Sequence, residues 1–168
     1  NFSLTARQIV GMGVTKNNSF LPFTSENHQK LIESSLDKVA LLDRIDDRVE
    51  NMSGGQRQRV FIAKTLAQGA EVLLLDEAFS GVDVGSQEEL VDVLKNLRDE
   101  GKTILMATHD LNTLSDRFDE VLCLNRHCCA YGDPLEVFTP EVLQELYGSH
   151  KMMFQDHELG NHGHQNGD

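Results

Sequence analysis

The stretch Val72-Leu73-Leu74-Leu75-Asp76-Glu77 admits few structural solutions. Its continuous apolar run is too short for a helix and lacks the alternation of a strand with one wet face. It predicts a strand buried on both faces, as strands of parallel sheets are. Downstream, Ser86-Gln87-Glu88-Glu89 reads as a capping box, opening a helix that carries Leu90, Val93, Leu94 and Leu97 and stops at Gly101. Thr103 to Ala107 is a second strand, a short helix capped by Asp110 covers 111–117, and Val121 to Leu124 is a third strand. Cys128 to Tyr131 can pair with that third strand as a hairpin, and Thr139-Pro140 opens a last helix ending at Gly148. Strand–helix–strand–helix–strand is a βαβ pattern, which implies a parallel sheet with right-handed crossovers.

The residues before this pattern read as helical. Leu4, Gln8, Ile9 and Met12 recur at helical spacing, and Gly11 and Gly13 are expected to close the segment. After a polar stretch over 14–25, a second helix is expected over 26–42, with Leu31, Ile32, Leu36, Val39 and Ala40 on one face. A third begins behind Ser53, runs from about Gly55 to Gln68 and stops at Gly69. The expected fold class is α/β: a parallel sheet with helices, beside an α-helical subdomain over 1–52. Residues 149–168 have little to bury and read as a disordered tail.

Composition narrows the function classes. Fifteen Lys+Arg against 27 Asp+Glu leave a formal charge of −12, which argues against a nucleic-acid partner, since phosphate binding needs a basic footprint. No apolar run approaches the roughly 20 residues of a membrane-spanning helix. Three cysteines (Cys123, Cys128, Cys129) are too few for a disulfide scaffold and suit a reducing compartment. The chain opens on Asn1 with no secretory leader, so it reads as a piece of something longer.

Four short stretches carry chemistry. In Met52-Ser53-Gly54-Gly55-Gln56, two glycines let a backbone come close to a bulky ligand and Ser53 offers a hydroxyl. The helix behind them aims free N–H groups and a positive dipole end at the same spot, which suits phosphate oxygens. A serine N-cap followed by a glycine turn is the other reading. Asp76 and Glu77 end a strand where open α/β sheets place ligands. One carboxylate can hold Mg²⁺ through water, and the other can polarise an attacking water; acidic turn residues after a strand are the plainer alternative. His109, in Thr108-His109-Asp110, ends the neighbouring strand and could reach the same ligand as Glu77. Ser80-Gly81-Val82-Asp83 is a tight polar turn behind the carboxylates.

In this order, the four stretches resemble the second half of an ABC-type ATPase nucleotide-binding domain, a partial P-loop NTPase. Met52 to Gln56 match the family signature (usually Leu-Ser-Gly-Gly-Gln), and Val72 to Glu77 the Walker B strand with its catalytic Glu. Ser80 to Asp83 match the D-loop and His109 the switch histidine. The likeness spans about 1–148 and makes 53–148 the signature helix and C-terminal part of the ATPase core. It implies ATP and Mg²⁺ as cofactors, sandwiched in a head-to-tail dimer with a second copy. Ser53, Gly54, Gly55 and Gln56 would meet nucleotide held by that copy, Asp76 would organise Mg²⁺ through water and Glu77 would act as base. His109 would contact the γ-phosphate, and Asp83 would act across the dimer.

The likeness also implies a transmembrane permease partner, an indirect solute-binding protein, and a peripheral place on the cytoplasmic face of the plasma membrane. No Gly-x-x-x-x-Gly-Lys-Ser/Thr loop occurs in the 168 residues and no Q-loop is evident. Truncation on the N-terminal side is therefore expected, together with inactivity of this piece alone. Ala78 stands where the family usually has Pro, and Met52 where it has Leu.

Phe79 to Asp83, Gly132-Asp133-Pro134 and Val137 to Glu141 resemble the manganese/zinc/iron importer ATPases. Siderophore and cobalamin importers share parts of that pattern. Four of the seven histidines (His150, His157, His162, His164) fall in the tail, and His-rich tracts can bind transition metals. A non-enzymatic metal-binding protein is thus an alternative, as is a soluble ABC-type ATPase. Within His127-Cys128-Cys129, neighbouring side chains of a hairpin alternate, which argues against a metal site there.

Overall fold

A computed structural model describes residues 4–14, 25–111 and 113–147. The chain divides into two compact units, Asn1–His109 and Asp110–Asp168.

In the first unit, α1 (Ala6–Val14), α2 (Ser25–Asp37) and α3 (Gly54–Ala67) pack on one another around a core that includes Val10, Leu36, Leu41, Val60 and Ile62. The buried stripe of α1 is Ala6, Val10, Gly13 and Val14. The larger residues expected there lie outside it: Ile9 is only partly buried, and Met12 is 47% exposed. Small residues win that face because the helix backbones nearly touch, and a Cβ at Gly13 would lie 2.3 Å from the Lys64 carbonyl oxygen of α3.

Helix α2 ends at Asp37, short of the expected 42. Ala40 takes the left-handed conformation (φ 53°), letting its amide bond Asp37 O and the Leu41 amide bond Leu36 O. This is a Schellman-type stop made without glycine. It turns Leu41 into the core and leads into a 3-10 turn at Leu42–Arg44.

Strand β1 (Val72–Asp76) pairs in parallel with β2 (Thr103–Ala107), in a register that sets Leu74 opposite Leu105 and Asp76 opposite Ala107. Helix α4 (Val84–Asp99) makes the crossover. Its N-cap is Asp83, whose carboxylate accepts the Ser86 amide at 3.0 Å. The expected capping box of Ser86 and Glu89 is therefore corrected: both lie inside the helix, because Asp83 captures the amide first. The expectation of a doubly buried β1 is corrected as well. Leu73 is 1% exposed beneath the helices, whereas Val72 and Leu74 on the opposite face are 53% and 73% exposed. Alternation puts these residues on the exposed face of the strand.

In the second unit, β3 (Val121–Leu124) pairs with β4 (Cys128–Gly132) as an antiparallel hairpin, and the parallel sheet of the first unit has two strands among the described residues. Helices α5 (Leu114–Arg117), α6 (Pro134–Val137) and α7 (Pro140–Tyr147) complete it. Thr139 Oγ1 accepts the Val142 amide at the start of α7, with Pro140 at the first helical position. The expected disordered tail over 149–168 lies outside the described residues, and no described helix is long and apolar enough to cross a membrane.

Candidate functional site

Parallel pairing puts the carboxyl ends of β1 and β2 side by side, and the chain leaves each through a polar residue. After Asp76, Glu77 adopts a left-handed backbone (φ 45°), a conformation that costs a non-glycine residue about 1–2 kcal/mol. Two hydrogen bonds hold it there: the Glu77 amide donates to Ala107 O, and the Ser80 amide donates to Glu77 O, both at 2.9 Å. The turn brings Glu77 Oε1 to 3.0 Å from His109 Nδ1. His109 and Glu77 side chains are 78% and 51% exposed, so the pair faces solvent. Strained backbone that is over-determined by its neighbours is characteristic of working sites.

The second group forms around the start of α3. Ser53 and Gln56 make a full capping box, in which Gln56 N–H donates to Ser53 Oγ at 3.2 Å and Ser53 N–H donates to Gln56 Oε1 at 3.0 Å. The serine is thus an N-cap, one of the two readings of this stretch, and the positive end of the helix dipole lies at that cap. The two glycines have different surroundings. Gly55 is buried, and a Cβ there would lie 2.7 Å from Ser86 Cβ and 3.3 Å from Val82 Cγ1, so its smallness serves the close approach of α4. A Cβ at Gly54 would meet only ordinary contacts, Gly81 O at 3.6 Å and Val82 Cγ2 at 3.8 Å.

Asp83 links these groups to the crossover helix. Its carboxyl sits below the ordinary carboxylate range, chiefly because the Ser86 amide, and then the Ser86 hydroxyl, bond its charged form. Gln87 Nε2 donates to Phe79 O at 3.2 Å and Val82 O at 2.9 Å, fixing the turn between Glu77 and Asp83. A small hollow of about 190 Å³ lies between α3 and β1, lined by Gln58, Phe61, Thr65 and Asp76 among others.

Asp76, exposed at the end of β1, offers carboxylate oxygens of the kind that suit a hydrated divalent cation. Phosphate groups fit the chain less completely. A capped helix N-terminus is present, but the sequence holds no lysine-bearing glycine loop to cradle them.

Arg59 is the residue that sequence reasoning missed. It lies on the buried face of α3, with a side chain 6% exposed. Its Nη2 donates to Glu89 Oε2 of α4 at 2.6 Å, its Nη1 donates to Val39 O at 3.3 Å, and its Nε has no partner among the described residues. The available signal was spacing: 55, 59, 62 and 63 are one helical stripe, and a cation on it must find an anion.

The family model described as "ABC transporter" matches residues 4–80. The manganese transport system ATP-binding protein MntB of Halalkalibacterium halodurans is 40% identical over 147 residues, covering 88% of this chain and 59% of that protein. The zinc transport system ATP-binding protein TroB of Treponema pallidum is 34% identical over 148 residues, covering 88% and 56%. A solved structure described as a metal-chelate type ABC transporter, inward-facing, matches with a TM-score of 0.76 at 28% identity, covering 87% of this chain and 59% of that one. The chain thus spans little more than half the length of the relatives it matches.

Proposed function

Because this chain belongs to the ABC transporter ATP-binding family, we propose that it forms the signature and Walker B portion of an ATPase subunit that energises import of a divalent metal ion. The observation that carries this reading is the 3.0 Å contact of Glu77 with His109 across neighbouring strand ends. Relatives named for manganese and zinc transport support the cargo class. A chelated metal is the second reading, favoured by the likeness to the metal-chelate type transporter.

In this reading Glu77 accepts the proton of the attacking water, and His109 orients the Glu77 carboxylate while reaching toward the γ-phosphate. Asp76 would hold Mg²⁺, through water. Ser53, Gly54 and Gln56 present hydroxyl, amide and helix dipole to nucleotide held by a second copy in a head-to-tail dimer, and Gly55 keeps α4 close behind them. Asp83, fixed as the cap of α4, faces that copy. Bound Mg²⁺ and ATP supply the transferable phosphoryl group and the charge neutralisation of a loose transition state. The subunit sits peripherally on the cytoplasmic face of the membrane, against a permease and, through it, a solute-binding protein. The 168-residue chain alone is expected neither to bind ATP tightly nor to hydrolyse it, since no phosphate-cradling loop is among its residues.

A chimera tests this. Residues 4–147 replace the matching part of the H. halodurans manganese ATP-binding protein, and ATPase rate and manganese-limited growth are measured. The chimera is expected to support both, with Glu77→Gln lowering turnover by about 10²–10⁴-fold, the usual weight of a general base. Unchanged turnover in Glu77→Gln would refute the assignment.

A further inference from the structure

We propose that His127, Cys129 and Glu145, all in the second unit, form a binding site for a divalent transition-metal ion of the zinc type. The β3–β4 hairpin turns through Asn125, Arg126 and His127, with Arg126 left-handed (φ 61°) and the Asn125 amide bonded to His127 O at 2.9 Å. His127 closes the turn and Cys129 follows in β4, and their ligand atoms meet on one side of the hairpin. Cys128 is turned away, its Sγ lying 3.6 Å from Ala130 O. Helix α7 brings Glu145 to the shared side. His127 Nε2 lies 2.7 Å from Glu145 Oε1 and 3.9 Å from Cys129 Sγ, and the three ligand atoms all fall within 4.8 Å of one another. Asn125 Nδ2 also donates to Glu145 O at 2.6 Å, so α7 is latched to the turn by a bond that involves none of the three ligand atoms.

The donor set selects the ion. Thiolate and imidazole favour zinc-like and cobalt-like ions, whereas Mg²⁺ and Ca²⁺ prefer oxygen cages. A tetrahedral ion with bonds of about 2.0–2.3 Å holds its ligand atoms roughly 3.4–3.6 Å apart. The His127–Glu145 pair must therefore open by about 0.7 Å, and the His127–Cys129 pair close by about 0.3 Å, shifts within side-chain reach. On binding, the Cys129 thiol releases its proton to solvent, and neutral His127 coordinates through Nε2 while keeping its Nδ1 proton. One thiolate and one carboxylate then balance the dication. Three protein ligands leave a fourth position open to water, and His127 is 64% exposed, so the ion would exchange with solution. The site shares no residue with Asp76, Glu77 or His109, and its test does not depend on ATP chemistry.

Co²⁺ is titrated into the reduced 168-residue chain while thiolate-to-cobalt charge transfer and d–d bands are followed, and Zn²⁺ is then added. The unmodified chain, Cys128→Ser, and a chain lacking residues 149–168 are each expected to bind one Co²⁺ with the thiolate band, which Zn²⁺ erases. Cys129→Ser loses that band, and His127→Ala and Glu145→Gln weaken binding by at least about tenfold, the loss usual for even an outer-shell partner. Far-UV circular dichroism checks each fold; should Cys129→Ser unfold, the other two substitutions carry the comparison. Absence of the thiolate band in the unmodified chain, its survival in Cys129→Ser, or dependence of binding on residues 149–168 alone would overturn the site.

Discussion

Replacing Gly13 by alanine adds one methyl group at the closest approach of α1 to α3. That carbon would lie 2.3 Å from the Lys64 carbonyl oxygen and 3.3 Å from Lys64 C and Cγ. Even the shortest ordinary C···O contacts are about 3.3 Å, so α1 must move by roughly 1 Å. The obstacle is the helical backbone of α3's last turn, which cannot rotate aside as a side chain can. Overpacking of this kind costs about 1–3 kcal/mol. The helix-propensity gain from Gly to Ala offsets at most about 1 kcal/mol, and less in a last turn. The net expectation is a loss of about 1–2 kcal/mol, or roughly 2–8 °C in melting temperature at 2–4 °C per kcal/mol. Gly11 supplies the control on the same helix, since a Cβ there meets only Ile32 Cδ1 at an ordinary 3.5 Å. Gly11→Ala should raise stability by up to about 1 kcal/mol. The chain has no tryptophan, so urea unfolding followed by circular dichroism at the helix band is the suitable assay. Equal effects from the two substitutions, or a Gly13→Ala chain as stable as the parent, would refute the close-packing argument.

Other outcomes follow from the same geometry. Glu89→Ala leaves the buried Arg59 guanidinium with the Val39 carbonyl as its remaining partner among the described residues, and should cost about 1–3 kcal/mol in urea unfolding, whereas Lys30→Ala, in an exposed pair, should cost less than about 1 kcal/mol. Leu73→Ala should cost about 2–5 kcal/mol, while Leu74→Ala, one residue on and 73% exposed, should stay within about 0.5 kcal/mol; similar losses would mean that both faces are covered. For Asp83 the folded carboxyl titrates below its ordinary value of 3.8. Its contribution is therefore present above that value and fades as pH falls through the lower folded one. The melting-temperature advantage of the parent over Asp83→Ala should be full at neutral pH and shrink only in strong acid, and a constant difference across that range would contradict the charged cap.

Much of the site was legible because its signals are local. The apolar run ending in Asp76-Glu77, the Ser53 cap and the end of a neighbouring strand at His109 each depend on a few adjacent residues, and the parallel register brings Glu77 to His109. What escaped depends on tertiary choice. Ala40 stops a helix in a conformation normally given to glycine, so composition carried no stop signal. Asp83 outcompeted Ser86 as a cap because the turn after Glu77, tied by Gln87, aims its carboxylate at the helix end. Arg59 is buried because Glu89 of the next helix pairs with it, a partner that no local pattern announces. Glu145 lies on another element from His127, so no local pattern joins them.

Glu77 occupies a backbone shape that glycine would take freely. Any search for hardier versions of this protein would be drawn to that position, since glycine there relieves up to about 1 kcal/mol once the added freedom of the unfolded chain is set against it. The same exchange deletes the carboxylate beside His109. On the role proposed for Glu77, heat resistance and hydrolysis would compete for a single residue, and a screen by temperature alone would enrich robust proteins that lack the carboxylate.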